Sequence, residues 1–364
     1  MRAAVLTEVN KPLQILDLEQ EGPKAGEARV KVKAAGICMS DWHIMIGDWP
    51  LPLPMVLGHE AAGEVVEVGA GVTNVKKGDH VIFSFRPHCG HCTYCSKGRT
   101  VLCIGHNDTP RWLMHDGTAR VRLNGEPVNQ MARIGTFTEY SVCPAEQLVR
   151  VRKDLPWTHA AIIGCSVATG VGAVIRHANV EAGSSVLVVG CGGVGLNVVQ
   201  GAKLAGAGKI IACDLLDNKL EFAKQFGATH TINGKRENVI ERVMEITGLG
   251  VDYAFDAIGT EGTIVQIVDA LAPAGHAVIV GIPSFATKAP ITPYQMVYSE
   301  KTVSGTYYGS VRPSVDFGIL ADLDMEKRIN LNSLISRTYK FEEINEGFQL
   351  MANGSVARGV IMFD

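Results

Sequence analysis

The chain has 364 residues, with 34 basic against 37 acidic side chains and a hydrophobic fraction of 46%, enough for a sizeable core and, by length, for two domains. A net charge of −3 offers no general attraction to nucleic acid or an anionic membrane, and no apolar run in the sequence approaches the roughly 20 residues needed to span a bilayer. The expectation is a soluble, cytoplasmic protein with neither nucleic-acid nor membrane partners. In that reducing compartment, nine cysteines, an odd number, suit metal ligation better than disulfides.

The N-terminal MRAAVLTEVNKPLQILDLE alternates polar and apolar residues and lacks a secretory apolar region. It reads as a strand or hairpin. Up to about residue 165, short apolar segments such as EARVKVKAAGI, GEVVEVGAGV, KKGDHVIFSF and AEQLVRV are bounded by Gly, Asp and Lys. That spacing predicts a β-rich domain. Residues 104–135 are polar with weak periodicity and read as an excursion loop.

From SSVLVVG onward the rhythm changes. KIIACD, HTIN, VDYAFDAIG and GHAVIVGIP are strand-like, and the segments between them are helical. Such alternation predicts βαβ units and a parallel sheet buried on both faces. KTVSGTYYG supplies a sixth strand. From about residue 308 helical patterns lead to a closing strand, GVIMFD.

Gly190, Gly192, Gly193, Val194 and Gly195 lie in GCGGVG, between a strand and a helix, and Asp214 ends the next strand nineteen residues after Gly195. This context makes an otherwise weak GxGxxG pattern a dinucleotide fingerprint. Gly190 permits the turn, Gly192 lets backbone approach a pyrophosphate, and Gly195 lets helix and strand pack. The helix N-terminus presents free N–H groups to phosphate. Asp214 would accept hydrogen bonds from ribose hydroxyls and repel a 2′-phosphate, favouring NAD over NADP. The bland alternative is a glycine-rich turn that binds another ligand or none.

Cys89, Cys92, Cys95 and Cys103 are spaced C-x2-C-x2-C-x7-C within PHCGHCTYCSKGRTVLC. Four thiolates on a short loop can close a tetrahedral zinc site. An iron–sulfur cluster also takes four cysteines, but the last interval differs from the ferredoxin spacing. His88 and His91 lie within the cluster and read as surface residues. A second set, Cys38, His59 and Cys165, is scattered. Singly, each is more readily a buried small side chain or a structural histidine; together they offer the open Cys2His set of a catalytic zinc.

These residues carry a resemblance. With GICMSDWH, GHEAAGEVVEVGAGV, GDHVI, GCSVATG and ARGVIMF in their order, the chain resembles the zinc-dependent medium-chain alcohol dehydrogenases. The resemblance implies an α/β protein: a GroES-like β-rich catalytic domain over 1–166, a Rossmann NAD-binding domain over 167–307, and a return to the catalytic domain over 308–364. It implies two zinc ions per subunit, catalytic at Cys38, His59 and Cys165, structural at the four-cysteine loop, with NAD as cofactor. Ser40 and His43 would relay the proton, Asp41 would orient His59, and Glu60 would lie beside the metal. Lys219 would contact ribose, and Arg358 the pyrophosphate. Met39 stands where many relatives place a charged residue against that pyrophosphate.

Trp49, Phe85 and Phe137 fall where relatives line their alcohol channel, which implies a primary alcohol that is bulky or aromatic; the bland alternative is that they are core aromatics. Glutathione-dependent formaldehyde dehydrogenases share the long 104–135 segment and MHDGTAR. They use an acidic residue where Trp49 stands and an Arg after the last loop cysteine, where this chain reads IGHND. On those residues, S-(hydroxymethyl)glutathione ranks second. The long segment favours a homodimer over a tetramer. Two other classes compete: a zinc-free reductase, which the seven apparent ligands oppose, and a non-enzymatic scaffold, which the intact catalytic set opposes.

Overall fold

The computed structural model describes residues 1–364 and divides into two compact units. The first comprises Met1–Cys165, Arg312–Glu326 and Leu331–Asp364; the second comprises Ser166–Val311 and Lys327–Asn330. The return to the first unit therefore starts at Arg312 rather than 308, and a short stretch after Glu326 goes back to the second.

Two sheets build the first unit. A seven-stranded sheet is centred on Glu27–Gly36, which pairs with Ala61–Val68, Tyr140–Pro144 and the C-terminal Arg358–Met362, all antiparallel. Buried and partly exposed residues alternate along Arg29–Ala34, the period-two signature of a strand with one face on a core. Val30, Val32, Phe83, Phe137, Phe348 and Ile361 belong to that core. The second sheet has six strands and includes the N-terminal hairpin of Arg2–Leu6 with Gln14–Asp17.

Residues 104–135 are not simply a loop. Val121–Leu123 and Glu126–Gln130 pair antiparallel and extend the second sheet. Asn124 and Gly125 join them, both with positive φ (52° and 82°), as a two-residue hairpin turn of the primed type requires. Buried charge rather than an apolar stripe orders the rest of the segment. The buried Arg133 guanidinium donates to the carbonyls of His106, Thr109 and Leu113. Arg120 is bound by Glu27 and Asp116.

The second unit holds a six-stranded parallel sheet. Numbered along the chain, its strands lie in the order third, second, first, fourth, fifth, sixth. The sixth strand, Thr302–Gly305, forms one edge. The order reverses beside the first strand, Ser185–Val189, and ligands of such sheets bind at the carboxyl ends of strands near that point.

One helix, Trp157–Ala178, is long and apolar enough to cross a membrane by length and composition. This corrects the reading that no run approaches that length: Thr158, His159, Ser166 and Thr169 interrupt the apolar residues in the sequence. Most of the helix is buried within the protein, and a helix that is apolar all round is accounted for by such burial. It widens to a π turn over Ile163–Val167, the turn that carries Cys165, a distortion often found at functional sites.

Candidate functional site

Three separate parts of the first unit supply one buried cluster. Cys38 caps the short helix Met39–Met45, His59 and Glu60 precede the strand Ala61–Val68, and Cys165 comes from the π turn. Their ligand atoms all lie within 4.8 Å of one another. Cys165 Sγ is 3.4 Å from His59 Nε2. On the other side of that ring, His59 Nδ1 donates to Asp41 Oδ1 at 3.2 Å, and the same oxygen accepts the Gly58 N–H at 2.9 Å. Asp41 is wholly buried and thus fixes both the tautomer and the ring plane of His59. The Phe85 ring packs edge-on to His59, centroids 5.5 Å apart.

The electrostatics suit a cation. A hydrogen bond from Cys165 and the charges of His59 and Arg358 overcome burial and hold Cys38 well below an ordinary thiol. The Cys165 thiol is pushed up by that same shared hydrogen bond and by burial, so one thiolate and one thiol share a proton. Burial disfavours an imidazolium at His59, but the charges of Asp41 and Cys38 outweigh it and raise its pKa. Burial raises Glu60 to about 7 against the opposing pull of Arg358. A divalent ion would relieve this crowding of anionic donors, so two thiolates and one imidazole fit zinc.

The four-cysteine loop forms a second cluster, again within 4.8 Å, and all nine cysteines of the chain are free of disulfides. Backbone amides point at its sulfurs. The Cys89 N–H donates to Cys103 Sγ at 3.2 Å, the Cys92 N–H to Cys89 Sγ at 3.3 Å and the Gly105 N–H to Cys103 Sγ at 3.4 Å. A Cβ on Gly105 would stand 2.6 Å from Cys89 Sγ, so only glycine lets the chain close over the sulfurs. Amide donation lowers Cys92 to about 6, while burial raises Cys95 to about 12. Four sulfurs complete a tetrahedral shell and leave no position for a substrate. His91 is exposed and bonds the Cys89 carbonyl; His88 is half-buried.

In the second unit, Gly192 caps the helix Gly193–Leu204 directly after the first strand. A Cβ on Gly195 would meet the Gly190 carbonyl oxygen at 1.7 Å, whereas one on Gly192 would meet nothing within 4 Å. The turn is therefore closed on the protein side and open on the outer side, as a backbone cradle for pyrophosphate must be. Val194 and Gly193 begin the helix and are half-exposed. Asp214 Oδ2 accepts the Cys191 N–H at 2.8 Å, and Oδ1 accepts those of Leu215 and Leu216. Lys219 Nζ lies 4.0 Å from Asp214.

A family profile described as an alcohol dehydrogenase GroES-like domain matches residues 24–156, and one described as a zinc-binding dehydrogenase matches residues 193–323. An S-(hydroxymethyl)glutathione dehydrogenase of Paracoccus denitrificans is 40% identical over 373 residues, covering 100% of this chain and 99% of that protein. The chain belongs to the zinc-dependent medium-chain alcohol dehydrogenase family. A class-3 alcohol dehydrogenase of Cereibacter sphaeroides is likewise 40% identical with the same coverage. Among solved structures, the benzyl alcohol dehydrogenase of Acinetobacter calcoaceticus superimposes with a TM-score of 0.94 at 32% identity, covering 100% of this chain and 99% of that one. The dehydrogenase thus combines a GroES-like unit with a Rossmann unit, and zinc and NAD are its cofactors.

The structure places other residues of this dehydrogenase less uniformly. Ser40 and His43 lie three apart on the helix Met39–Met45 and so share a face. His43 Nδ1 is bound to Asp48 Oδ2 at 2.8 Å, and its ring stacks on Trp49. Asp48 carries no signal in the sequence; its bond to Nδ1 leaves Nε2 of His43 as the other ring nitrogen. Phe137 is a correction. It is fully buried in the core against Phe348 and presents no open surface to a ligand, because the strand-side packing encloses it. Arg358 is 5% exposed and donates to Glu60, with the Cys38 and Cys165 sulfurs adding to its cationic character. In this arrangement it lies against the metal cluster through Glu60.

Asp214→Ser is expected to lower kcat/KM for NAD roughly 10- to 100-fold, the worth of a charge-assisted hydrogen bond or two, and to improve NADP use. Comparing both cofactors in the variant tests this; an unchanged NAD-to-NADP ratio would contradict the role.

Proposed function

We propose that this protein oxidises a primary hydroxyl group with NAD as hydride acceptor, and that its substrate is S-(hydroxymethyl)glutathione. The observation that carries the substrate is the 40% end-to-end identity to two proteins, one named for that substrate and one a class-3 alcohol dehydrogenase. The retained 104–135 segment agrees with it. This reverses the order that Trp49 and the lack of an Arg just after Cys103 suggest on their own. An aromatic alcohol remains the second reading, because Phe85 lies against His59 and Trp49 against His43, and because benzyl alcohol dehydrogenase is so similar in structure.

Cys38, His59 and Cys165 would hold the catalytic ion, and the four-cysteine loop the structural one. When bound, zinc supplies Lewis acidity that lowers the pKa of an alcohol hydroxyl. Ser40 would take the hydroxyl proton, and His43, steadied by Asp48, would pass it to solvent. Asp41 would keep His59 in its ligating tautomer. The test is kcat/KM on the glutathione adduct against benzyl alcohol. A higher value for the adduct is expected, and a higher value for benzyl alcohol would overturn the substrate assignment.

A homodimer completes the reading. Phe285, Tyr294, Val297 and Tyr298 are between 71% and 92% exposed, and Thr302–Gly305 leaves a sheet edge unpaired. An apolar patch beside an open edge suits pairing with a second copy. Val297→Asp should shift the protein to monomer in sedimentation; a wild-type monomer would refute the dimer. The nine free cysteines are consistent with a cytoplasmic setting.

A further inference from the structure

Beyond the two cysteine-based clusters, a third group of metal-ligating side chains converges in the first unit. The ligand atoms of His106, His115 and Glu146 all lie within 4.8 Å of one another. His106 Nε2 is 2.7 Å and His115 Nε2 is 3.1 Å from the same oxygen, Glu146 Oε1. The two imidazoles stack with centroids 3.9 Å apart and planes 21° apart, which aligns their Nε2 edges. Glu146 comes from the turn Ala145–Gln147, far along the chain from both histidines.

The backbone holds this arrangement without help from the rings. Arg133 Nη2 donates to the His106 carbonyl at 3.2 Å and to Thr109 at 2.8 Å, and its Nε donates to Leu113 at 2.8 Å. Thr109 Oγ1 donates to the His115 carbonyl at 3.2 Å. His115 Nε2 hydrogen-bonds Glu146 Oε1 at 3.1 Å, but the remaining ring nitrogens are served poorly. His106 Nε2 is enclosed and lacks a well-directed partner despite its nearness to Glu146, and His115 Nδ1 is enclosed and unpartnered as well. Protonation does not resolve this. Burial lowers the pKa of His106 against the opposing charge of Glu146, and the charges of His115, Arg133 and His91 add to the lowering. Neutral imidazole is the form that binds metal.

We propose that His106, His115 and Glu146 form a third metal site, which takes a divalent first-row transition ion such as zinc through two imidazoles and one carboxylate. Donors on an ion at about 2.0–2.2 Å stand roughly 3.0–3.5 Å apart. The Nε2–Oε1 separations of 2.7 and 3.1 Å lie within tenths of an ångström of that range, and the imidazole nitrogens lie within 4.8 Å of each other. The imidazoles select against calcium and magnesium, which prefer oxygen donors. Bound there, the ion ties the segment that follows the four-cysteine loop to the Ala145–Gln147 turn. The Arg133 charge opposes the ion, but that guanidinium is directed into backbone carbonyls. The site is separate from the catalytic cluster and does not depend on which alcohol the enzyme oxidises.

The experiment uses the full zinc-loaded enzyme. It is titrated with zinc, freed of unbound metal by gel filtration and assayed for metal per chain, beside His115→Gln and Glu146→Gln. The wild type should hold three equivalents and each variant two, and added zinc should raise the melting temperature of the wild type alone. Equal melting of all three proteins before zinc is added shows that the variants are folded; if one unfolds, the other carries the comparison. A wild type that stops at two equivalents, or variants that keep the third, would overturn the proposal.

Discussion

Cys165→Ala is expected to remove one zinc per chain and to lower kcat/KM by roughly a thousandfold or more. Cys165 Sγ closes the cluster at 3.4 Å from His59 Nε2, and without it only Cys38 and His59 remain of the three-ligand set. Lewis-acid polarisation supplies several kcal/mol of barrier reduction, and each 1.4 kcal/mol is a factor of ten. The loss should fall on the chemical step rather than on cofactor binding, because the nucleotide fingerprint lies in the other unit. Metal analysis, steady-state rates and NADH binding by fluorescence separate these effects. A variant that kept the full zinc content of the wild type and near-native turnover would refute the assignment of Cys165. Loss of the four-cysteine zinc instead would mean that the two sets had been exchanged.

The parts of this molecule that the sequence reveals are those with local grammar. The glycine turn sits between a strand and a helix, and Gly195 answers the Gly190 carbonyl five residues before it. The four clustered cysteines fall within one short loop. Cys38, His59 and Cys165 have no individual signal; they are legible together only through the resemblance, since the fold alone brings them within 4.8 Å. The 104–135 segment misleads because the strands flanking Asn124 and Gly125 are short and carry Arg122, Glu126 and Asn129, so no apolar alternation marks them. Two buried arginines order it, and an arginine reads as surface in any pattern based on hydrophobicity. The group of His106, His115 and Glu146 depends on how separate turns meet and leaves no trace in spacing, while Asp48, only five residues from His43, looks like any acidic residue of a turn. The substrate ranking from the sequence rests on two positions, Trp49 and the residues after Cys103, whereas the 40% identity to an S-(hydroxymethyl)glutathione dehydrogenase is spread over the whole chain.

Arg120→Met is expected to cost about 3–5 kcal/mol of stability, the effect of stripping one partner from a buried ion pair. Arg120 has no exposed surface. Its Nε and Nη2 engage both oxygens of Glu27, at 2.8 and 2.6 Å, and Nη2 also reaches Asp116 at 2.8 Å. Methionine fills similar volume, so the cost comes chiefly from a Glu27 carboxylate left in a dry environment rather than from a cavity. Replacing both partners, as Arg120→Met with Glu27→Leu, should recover much of the loss, because an apolar pair of similar shape often matches a buried ion pair. The network also sets a pH dependence. Burial pushes the Asp116 pKa up, but hydrogen bonds from Thr118, Arg120 and Lys24 outweigh it and hold the carboxyl well below its usual range. A depressed folded-state pKa stabilises the protein above about pH 4, and that part is lost on acidification through the folded value. Arg120→Met should therefore flatten the acid side of the stability profile as well as lower its plateau. Urea unfolding at neutral and acid pH, with hydrogen exchange over residues 118–130 as the local readout, tests both effects. Near-native stability in the single variant would mean that the apolar core, not this ion network, anchors the hairpin.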